Sequence, residues 1–309
     1  MDFLRLNIAG TKLLLSSPLP FSPVPFPSEY RTFCETGGES PADEIHVQLK
    51  PGIPDVTQWG VLSNSARPWR LFRDGDVRRL VWDGSDPGDP LWLLEFVPGM
   101  PSVTVYCGSR LIEGTGASKA LQNPMHYPLD QLLMLYQLAE KGKGIVHSAG
   151  LVLEGMCIVA AGRSGAGKST LARCWAALHG NESLLSDDRM IVGRSPVAVD
   201  AYGTPWPGEL GAARNEHRPL GAMVFLEKSK SNRLTPIPPK EAMERLLPVV
   251  SIPWFDPEIM AIALTNIECW VEGVPAYRFE FTPDEGAVRM LETLCRISGG
   301  PVGGARPQA

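Results

Sequence analysis

The nine residues from Gly162 to Thr170 read GRSGAGKST, and the first eight of them fit the pattern G-x-x-x-x-G-K-[ST]. Glycines at these positions let backbone N–H groups turn inward around a phosphate. Lys168 then supplies a positive charge for the terminal phosphates, and Ser169 supplies a hydroxyl for a magnesium ion. A helix that begins here adds the partial positive charge of its N-terminus. The stretch therefore predicts a phosphate-binding loop, whose residues we list as Gly162, Arg163, Ser164, Gly165, Ala166, Gly167, Lys168, Ser169 and Thr170.

The surroundings of this loop favour the same interpretation. The apolar segment Met156–Ala161 precedes it, and Leu171, Cys174 and Trp175 follow it at helical spacing. Strand, loop and helix in this order are the setting that a nucleotide phosphate loop needs. The alternative is a glycine-rich turn that only resembles such a loop.

A pair of acidic residues forms a second candidate element. The apolar piece Leu184-Leu185 is followed by Ser186 and then by Asp187-Asp188. Proteins with this type of loop hold their magnesium ion with a carboxylate at a strand end, and a second carboxylate can accept a proton from a nucleophile. We assign Asp187 as the proton acceptor and Asp188, with Ser169, as the metal ligand, and we leave the reverse assignment open. A turn or helix cap is the competing interpretation.

A histidine completes the set of candidates. His147 lies on the apolar segment that begins at Ile145, ahead of a tight turn at Glu154-Gly155 and of the loop itself. A single histidine in an apolar strand is ordinarily a structural residue. Its spacing alone therefore does not assign it a function.

Taken in order, a histidine, a β-hairpin, the phosphate loop and a double aspartate resemble the catalytic domain of bacterial HPr kinase/phosphorylase and its relatives. The resemblance covers about residues 125–297 and includes Gly203-Thr204-Pro205-Trp206, Gly208-Glu209 and Asn232-Arg233. It implies an α/β fold related to phosphoenolpyruvate carboxykinase, ATP and Mg²⁺ as cofactors, and a serine hydroxyl as acceptor. It also places His147 near the transferring phosphoryl group, so that His147, Lys168 and Asp187 are the expected catalytic residues.

The chain departs from that family in two places. It lacks the downstream Gly–Arg–Asn loop that grips the protein substrate in HPr kinase, and it lacks a magnesium-supporting Glu followed by Arg-Gly. Glu209 or Glu216 could take the place of that Glu. The resemblance therefore does not extend to recognition of HPr itself or to the reverse phosphorolysis.

The pattern along the chain divides it into three parts. Residues 1–120 show no helical period but several short apolar or alternating runs separated by turns, which predicts a small antiparallel sheet or sandwich suited to docking an acceptor. Leucines at helical spacing after Pro128 open an α/β catalytic domain at residues 121–298. Residues 299–309 are mostly glycine, proline and small residues, which predicts a disordered tail. The predicted strands of the first part are Ile45–Leu49, Trp69–Phe72, Val77–Trp82, Leu91–Val97 and Ser102–Tyr106.

Composition excludes several classes of protein. With 44% hydrophobic and 20% charged residues among 309, the chain can build a globular core. Its net charge of −5 does not suit a nucleic-acid backbone binder. No apolar run approaches the length of a membrane span, and the start Met1-Asp2 does not suit a signal peptide, so we expect a cytoplasmic protein. The cysteines are scattered and predict buried thiols.

These observations predict a kinase that transfers the γ-phosphoryl group of ATP to a hydroxyl. Its partner is an unidentified hydroxyl-bearing acceptor, which could be a peptide, a carrier protein or a small molecule, and self-association is left open. Two alternatives use the same loop. One is an NTP-dependent switch or ATPase, and the other is a peptide-binding module that nucleotide only stabilises.

Overall fold

A computed structural model describes residues 2–35, 44–56, 59, 61–63, 69–84, 88–195 and 198–298. The chain divides into two compact units. The first consists of Met1–Glu140 and Pro253–Met260, and the second of Lys141–Ile252 and Ala261–Ala309. The predicted tail at residues 299–309 lies outside the described residues.

The elements of the first unit are mostly strands. In chain order they are β1 (Asp2–Ile8), β2 (Thr11–Ser17), a 3-10 helix (Ser28–Phe33), β3 (Cys34–Glu35), β4 (Ile45–Pro51), β5 (Val61–Ser63), β6 (Trp69–Asp74), β7 (Val77–Trp82), β8 (Trp92–Phe96), β9 (Ser102–Cys107), a 3-10 helix (Ser109–Leu111), β10 (Ile112–Glu113), a 3-10 helix (Gly116–Ser118), β11 (Ala120–Leu121) and α1 (Leu129–Glu140). All five strands predicted from the sequence are confirmed, with small differences at their ends.

Within the described residues, these strands form a nine-stranded sheet in the order β3-β1-β2-β4-β9-β8-β7-β6-β5. The sheet is not wholly antiparallel, because β4 runs parallel to both of its neighbours, β2 and β9. The prediction of an antiparallel region is therefore wrong at β4. A parallel pair needs a long connection, and the stretch from Ser17 to Ile45, with its proline-rich loop, provides one between β2 and β4.

Two polar pairs are buried inside the first unit. The Arg78 guanidinium donates from Nε to Asp256 Oδ2 at 2.7 Å, and these side chains are 1% and 0% exposed. The Tyr30 hydroxyl donates to Asp130 Oδ2 at 2.6 Å. Buried charges are tolerated only when they are paired in this way. The first pair also ties residues 253–260 to a sheet that is formed from the N-terminal part of the chain.

The elements of the second unit include both strands and helices, but they do not alternate strictly as the sequence suggested, because several of the strands follow one another directly. In chain order they are β12 (Lys143–Leu153), β13 (Met156–Ala161), α2 (Lys168–His179), a 3-10 helix (Asn181–Ser183), β14 (Arg189–Arg194), β15 (Val199–Tyr202), β16 (His217–Lys228), β17 (Arg233–Ile237), α3 (Pro239–Leu246), α4 (Pro257–Gly273, whose first residues belong to the first unit), β18 (Ala276–Phe281) and α5 (Glu285–Ser298).

Two long strands organise the sheet of this unit. The first half of β12 pairs with β14 and its second half with β13. Likewise, β16 pairs with β15 near its start, and further along with β13 and β18 in parallel. The described order is β13-β12-β14-β15-β16-β18-β17, and the additional β13–β16 pairing closes the first five strands into a ring.

A continuous hydrophobic core joins α2 and α5 to this sheet. Leu171 and Trp175 of α2, and Leu291 of α5, are fully buried in one cluster with Phe279 of β18. Because β13, β16 and β18 are parallel, their carboxyl ends meet at one edge of the sheet, where α/β proteins commonly bind ligands. The predicted phosphate loop follows β13 at that edge.

The boundary between the two units differs from the one that the sequence suggests. Contacts group α1 with the first unit, whereas the sequence suggested that the second domain begins at residue 121. Within the described residues, no helix is both long enough and apolar enough to cross a membrane.

Candidate functional site

The predicted phosphate loop connects β13 to α2, and its backbone requires glycine at several positions. Gly165 and Gly167 have φ angles of 79° and 108°, which side-chain-bearing residues rarely adopt. A Cβ atom on Gly167 would lie 2.7 Å from the Phe281 ring, and one on Gly162 would lie 2.7 Å from the Ala166 side chain. The glycines of the pattern are thus explained by the conformation and the tight packing of this loop.

Lys168 is the first residue of α2, and its ammonium lies inside the loop. Only 7% of the residue is exposed, and Nζ donates to the carbonyl oxygens of Gly162 at 2.8 Å and of Arg163 at 3.3 Å. Burial lowers the pKa of Lys168; the charge of Asp188 opposes this shift and that of Arg189 reinforces it. An anion bound in the loop would therefore meet a partly desolvated cation.

The other residues of the loop differ in exposure. Arg163, Ser164, Gly165 and Thr170 are exposed, whereas Gly162, Ala166, Gly167 and Ser169 are partly buried. The outer part of the loop is therefore accessible to a ligand. Ser169 follows Lys168 in the first turn of α2, which is the position that the pattern assigns to a magnesium ligand.

His147 and Asp188 come together next to this loop. The segment before Asp188 hydrogen-bonds along β12, where Gly150 N–H donates to Ser186 O at 2.9 Å and Ser148 N–H to Asp188 O at 3.0 Å. This pairing places the Asp188 carboxylate beside the ring of His147, with Oδ1 2.9 Å from Nε2. The structure thus brings together two of the residues that the sequence suggested, His147 and Asp188.

Arg189 was not among the residues that the sequence suggested. Its Nη1 donates to Asp188 Oδ2 at 2.7 Å, and its backbone is paired with His147 in the β12–β14 register. The carbonyl oxygen of Arg189 accepts a hydrogen bond of 2.6 Å from the Thr204 hydroxyl. The only sequence signal for Arg189 was its position directly after the double aspartate.

The surroundings of Asp188 favour its charged form. Burial of the carboxyl acts to raise its pKa, but the hydrogen bond from His147 and the charges of Arg189, His147 and Lys168 outweigh burial, so the pKa lies below its usual value. About a third of the side chain is exposed. Asp188 is thus an ionised carboxylate that is open to a ligand.

Asp187 has a different environment. It is 1% exposed, and its carboxylate accepts three backbone N–H groups from one loop. Oδ1 accepts from Gly208 at 2.9 Å and from Ala212 at 3.2 Å, and Oδ2 accepts from Leu210 at 2.7 Å. The two adjacent aspartates therefore point to different partners, as consecutive residues of an extended segment do.

The two glutamates considered as substitutes for the missing Glu both form ion pairs. Glu209 pairs with Arg173 at 2.6 Å, and both side chains are largely exposed. Glu216 pairs with Arg214 at 3.2 Å and with Arg218 at 2.6 Å. These contacts give no support to either glutamate as a metal ligand.

The donors near the loop suit a magnesium ion better than a metal held by protein alone. In the part of the chain that the structure describes, no group of three or more His, Cys, Asp or Glu residues could hold a metal ion. Mg²⁺ is commonly bound by one or two protein oxygens together with substrate phosphates. The Asp188 carboxylate and the Ser169 hydroxyl match that kind of donor set.

Comparisons with known proteins give little further information. No protein-family model matches the chain, and no curated protein matches it in sequence. Among solved structures, a match is found to the Hpr(Ser) kinase/phosphatase from Coxiella burnetii, with 16% identity over 50% of this chain and 94% of that one. The TM-score of 0.28 is too low for this likeness to carry an argument.

Proposed function

We propose that the chain is an ATP-dependent kinase that transfers the γ-phosphoryl group to a hydroxyl, such as a serine hydroxyl, of a peptide, a carrier protein or a small molecule. One observation carries this proposal. A glycine-rich loop lies at the carboxyl edge of parallel strands and ends at the partly desolvated Lys168. The ionised, accessible carboxylate of Asp188 lies close enough to Lys168 for each charge to shift the pKa of the other group.

When bound, ATP supplies the phosphoryl group and Mg²⁺ neutralises its charge. The loop residues 162–170 would hold the phosphates, with Lys168 as their cation. Ser169 and Asp188 would hold the metal. Phosphoryl transfer depends mainly on positioning and on charge stabilisation, so a small number of correctly placed groups is sufficient.

The contacts support a division of roles that differs from the one suggested by sequence. Asp188 has its carboxylate oriented by His147 on one oxygen and by Arg189 on the other. We assign to Asp188 both the metal contact and the acceptance of the hydroxyl proton. His147 then orients this carboxylate, and Arg189 adds a second positive charge beside the transferring group.

Selection of the acceptor by residues 1–120 stays a prediction. Within the described residues, the edge strands of the first sheet are β3, with two residues, and β5, with three. Edges and loops of the first unit both stay candidates for acceptor docking.

The test is to incubate the purified chain with Mg²⁺ and γ-labelled ATP in the presence of serine-containing peptides, carrier proteins and small hydroxyl compounds. Label in an acceptor supports the proposal. Release of free phosphate alone would instead indicate an ATPase or switch, and the absence of both would indicate a binding module. Lys168→Ala is the inactive comparison, and Lys240→Ala, at an exposed lysine of α3, is the matched control.

A further inference from the structure

The surroundings of Asp187 indicate a function distinct from that of Asp188. Its buried carboxylate accepts three hydrogen bonds from the backbone N–H groups of Gly208, Leu210 and Ala212. An ionised carboxylate has about four acceptor sites, so most of its capacity is used within one loop. The carboxylate of Asp187 is therefore occupied by the backbone of this loop.

The same loop lies against both aspartates. A Cβ atom on Gly208 would be 2.9 Å from Asp187 Oδ2 and 3.0 Å from Asp188 Cβ, which leaves no space for a side chain at this position. The contact continues along the chain, because Ser186 forms a bridge with Ala213. The backbone of this loop at Gly208 thus packs directly against Asp188, the residue that we assign to the reacting groups.

We propose that Asp187 is a positioning residue, which anchors the loop Gly208–Ala212 and through Gly208 fixes the place of Asp188. In this arrangement Asp187 neither accepts the proton of the acceptor nor binds the metal. The inference rests on the proposed function insofar as Asp188 serves phosphoryl transfer. The anchoring itself depends only on the hydrogen bonds just described.

Hydrogen exchange tests the anchor directly in the full-length chain. Asp187→Asn converts one carboxylate oxygen into an NH₂ donor that faces backbone N–H groups, so we expect the amides of Gly208, Leu210 and Ala212 to exchange at least tenfold faster than in the wild type. Glu209→Gln is the matched control, because it removes only an exposed ion pair of the same loop, with Arg173, and should change these rates far less than Asp187→Asn does. Unchanged protection in Asp187→Asn would overturn the proposal.

A second variant covers the case in which Asp187→Asn does not fold. Gly208→Ala keeps the carboxylate but places a methyl group where Asp187 and Asp188 leave no space. It should produce the same loss of protection at Leu210 and Ala212. Protection equal to that of the wild type in this variant would contradict the packing on which the proposal depends.

A split between kcat and KM separates positioning from a direct role in transfer. Phosphoryl transfer is measured from γ-labelled ATP to an acceptor that the labelling test identifies. We expect Asp187→Asn to lower kcat while the KM for Mg·ATP, which the glycine-rich loop and Lys168 determine, stays unchanged. Complete loss of transfer in Asp187→Asn, with loop protection intact, would show that Asp187 acts directly. If the wild type phosphorylates no acceptor, the proposed function fails, while the exchange data still decide the anchor.

Discussion

Replacement of Lys168 by alanine should remove most of the stabilisation that Mg·ATP gives to the folded chain. At an ATP concentration 100 times Kd, a ligand bound only to the native state contributes about 2.7 kcal/mol. A hydrogen bond to a charged group contributes about 1.5–3 kcal/mol, and the proposed function assigns one to the Lys168 ammonium and a bound phosphate. Its loss weakens Kd roughly 12- to 140-fold. At the same ATP concentration, the stabilisation then falls to about 0.3–1.3 kcal/mol.

The ligand-free protein should tolerate this change. The alanine leaves the carbonyl oxygens of Gly162 and Arg163 without their donor, but it also removes a cation whose burial lowers its pKa. These two effects oppose each other, so we expect only a small change in the free energy of unfolding. Lys168→Met, which keeps an unbranched apolar stem, is the companion variant.

The assay is urea unfolding with and without Mg·ATP for the wild type, for both Lys168 variants and for Lys240→Ala. The exposed Lys240 control should retain the full stabilisation by nucleotide. If Lys168→Ala and Lys168→Met gain as much stability from Mg·ATP as the wild type does, the loop does not bind phosphate in the way that we describe.

Three other changes test the structure elsewhere. Asp256→Asn should cost about 1–3 kcal/mol in urea unfolding, because it removes the fully buried carboxylate that faces Arg78 and leaves Glu258 as the remaining charged partner; no measurable cost would argue against the pair. Gly167→Ala should lower stability by at least about 1–2 kcal/mol, since its left-handed backbone disfavours a side chain and its methyl group would meet Phe281; equal stability would refute this packing. The backbone N–H of Ala287 and the side chain of Asn232 lower the pKa of Asp284. The stabilisation by this carboxylate should be complete above its ordinary pKa of 3.8 and be lost as the pH falls through the lowered pKa. The melting temperatures of wild type and Asp284→Ala should therefore converge in acid. A constant difference between them from pH 7 to pH 2 would contradict this prediction.

The strand, the glycine-rich loop and the helix around residues 162–170 could be predicted from sequence because their requirements are local. The pattern that begins at Gly162 requires glycine at positions 162 and 167, of which Gly167 adopts left-handed backbone, and the apolar segments on either side specify a strand and a helix. The structure has those elements at β13 and α2, and α2 begins at Lys168. The packing of Gly167 against Phe281, in contrast, joins distant parts of the chain and has no signal in the pattern.

The roles of the two aspartates could not be read from their adjacency. In an extended segment, neighbouring side chains point in opposite directions. The sequence does not show which of the two aspartates faces the glycine-rich loop with Lys168. That choice depends on the loop Gly208–Ala212, whose backbone N–H groups donate hydrogen bonds to the carboxylate of Asp187. The contribution of Arg189 was missed for the same reason, because its partner His147 comes from another strand.

Two features of the fold were also beyond the reach of periodicity. The helix α4 (Pro257–Gly273) is apolar on most of its surface, so it lacks the alternation of polar and apolar faces by which a surface helix is recognised. The parallel pairing of β4 with β2 and β9 depends on the path of the connecting loops. Alternation of side chains identifies a strand, but it does not reveal the direction of its neighbours.

The division of the first unit between two parts of the chain has a consequence for protein synthesis. Arg78 and Asp256 are 178 residues apart, so at about 5–20 residues per second the ribosome needs roughly 9–36 s to supply the carboxylate after the arginine. During that interval the segment Lys141–Ile252, with the phosphate loop and both aspartates, is completed. Until then Arg78 has the local carbonyl oxygens of Gly75 and Asp76 as acceptors but neither of its carboxylate partners, Asp256 and Glu258, at a position that is buried in the finished protein. We expect this sheet to reach its final packing only after Asp256 has left the exit tunnel, so that the order of folding does not follow the order of the sequence.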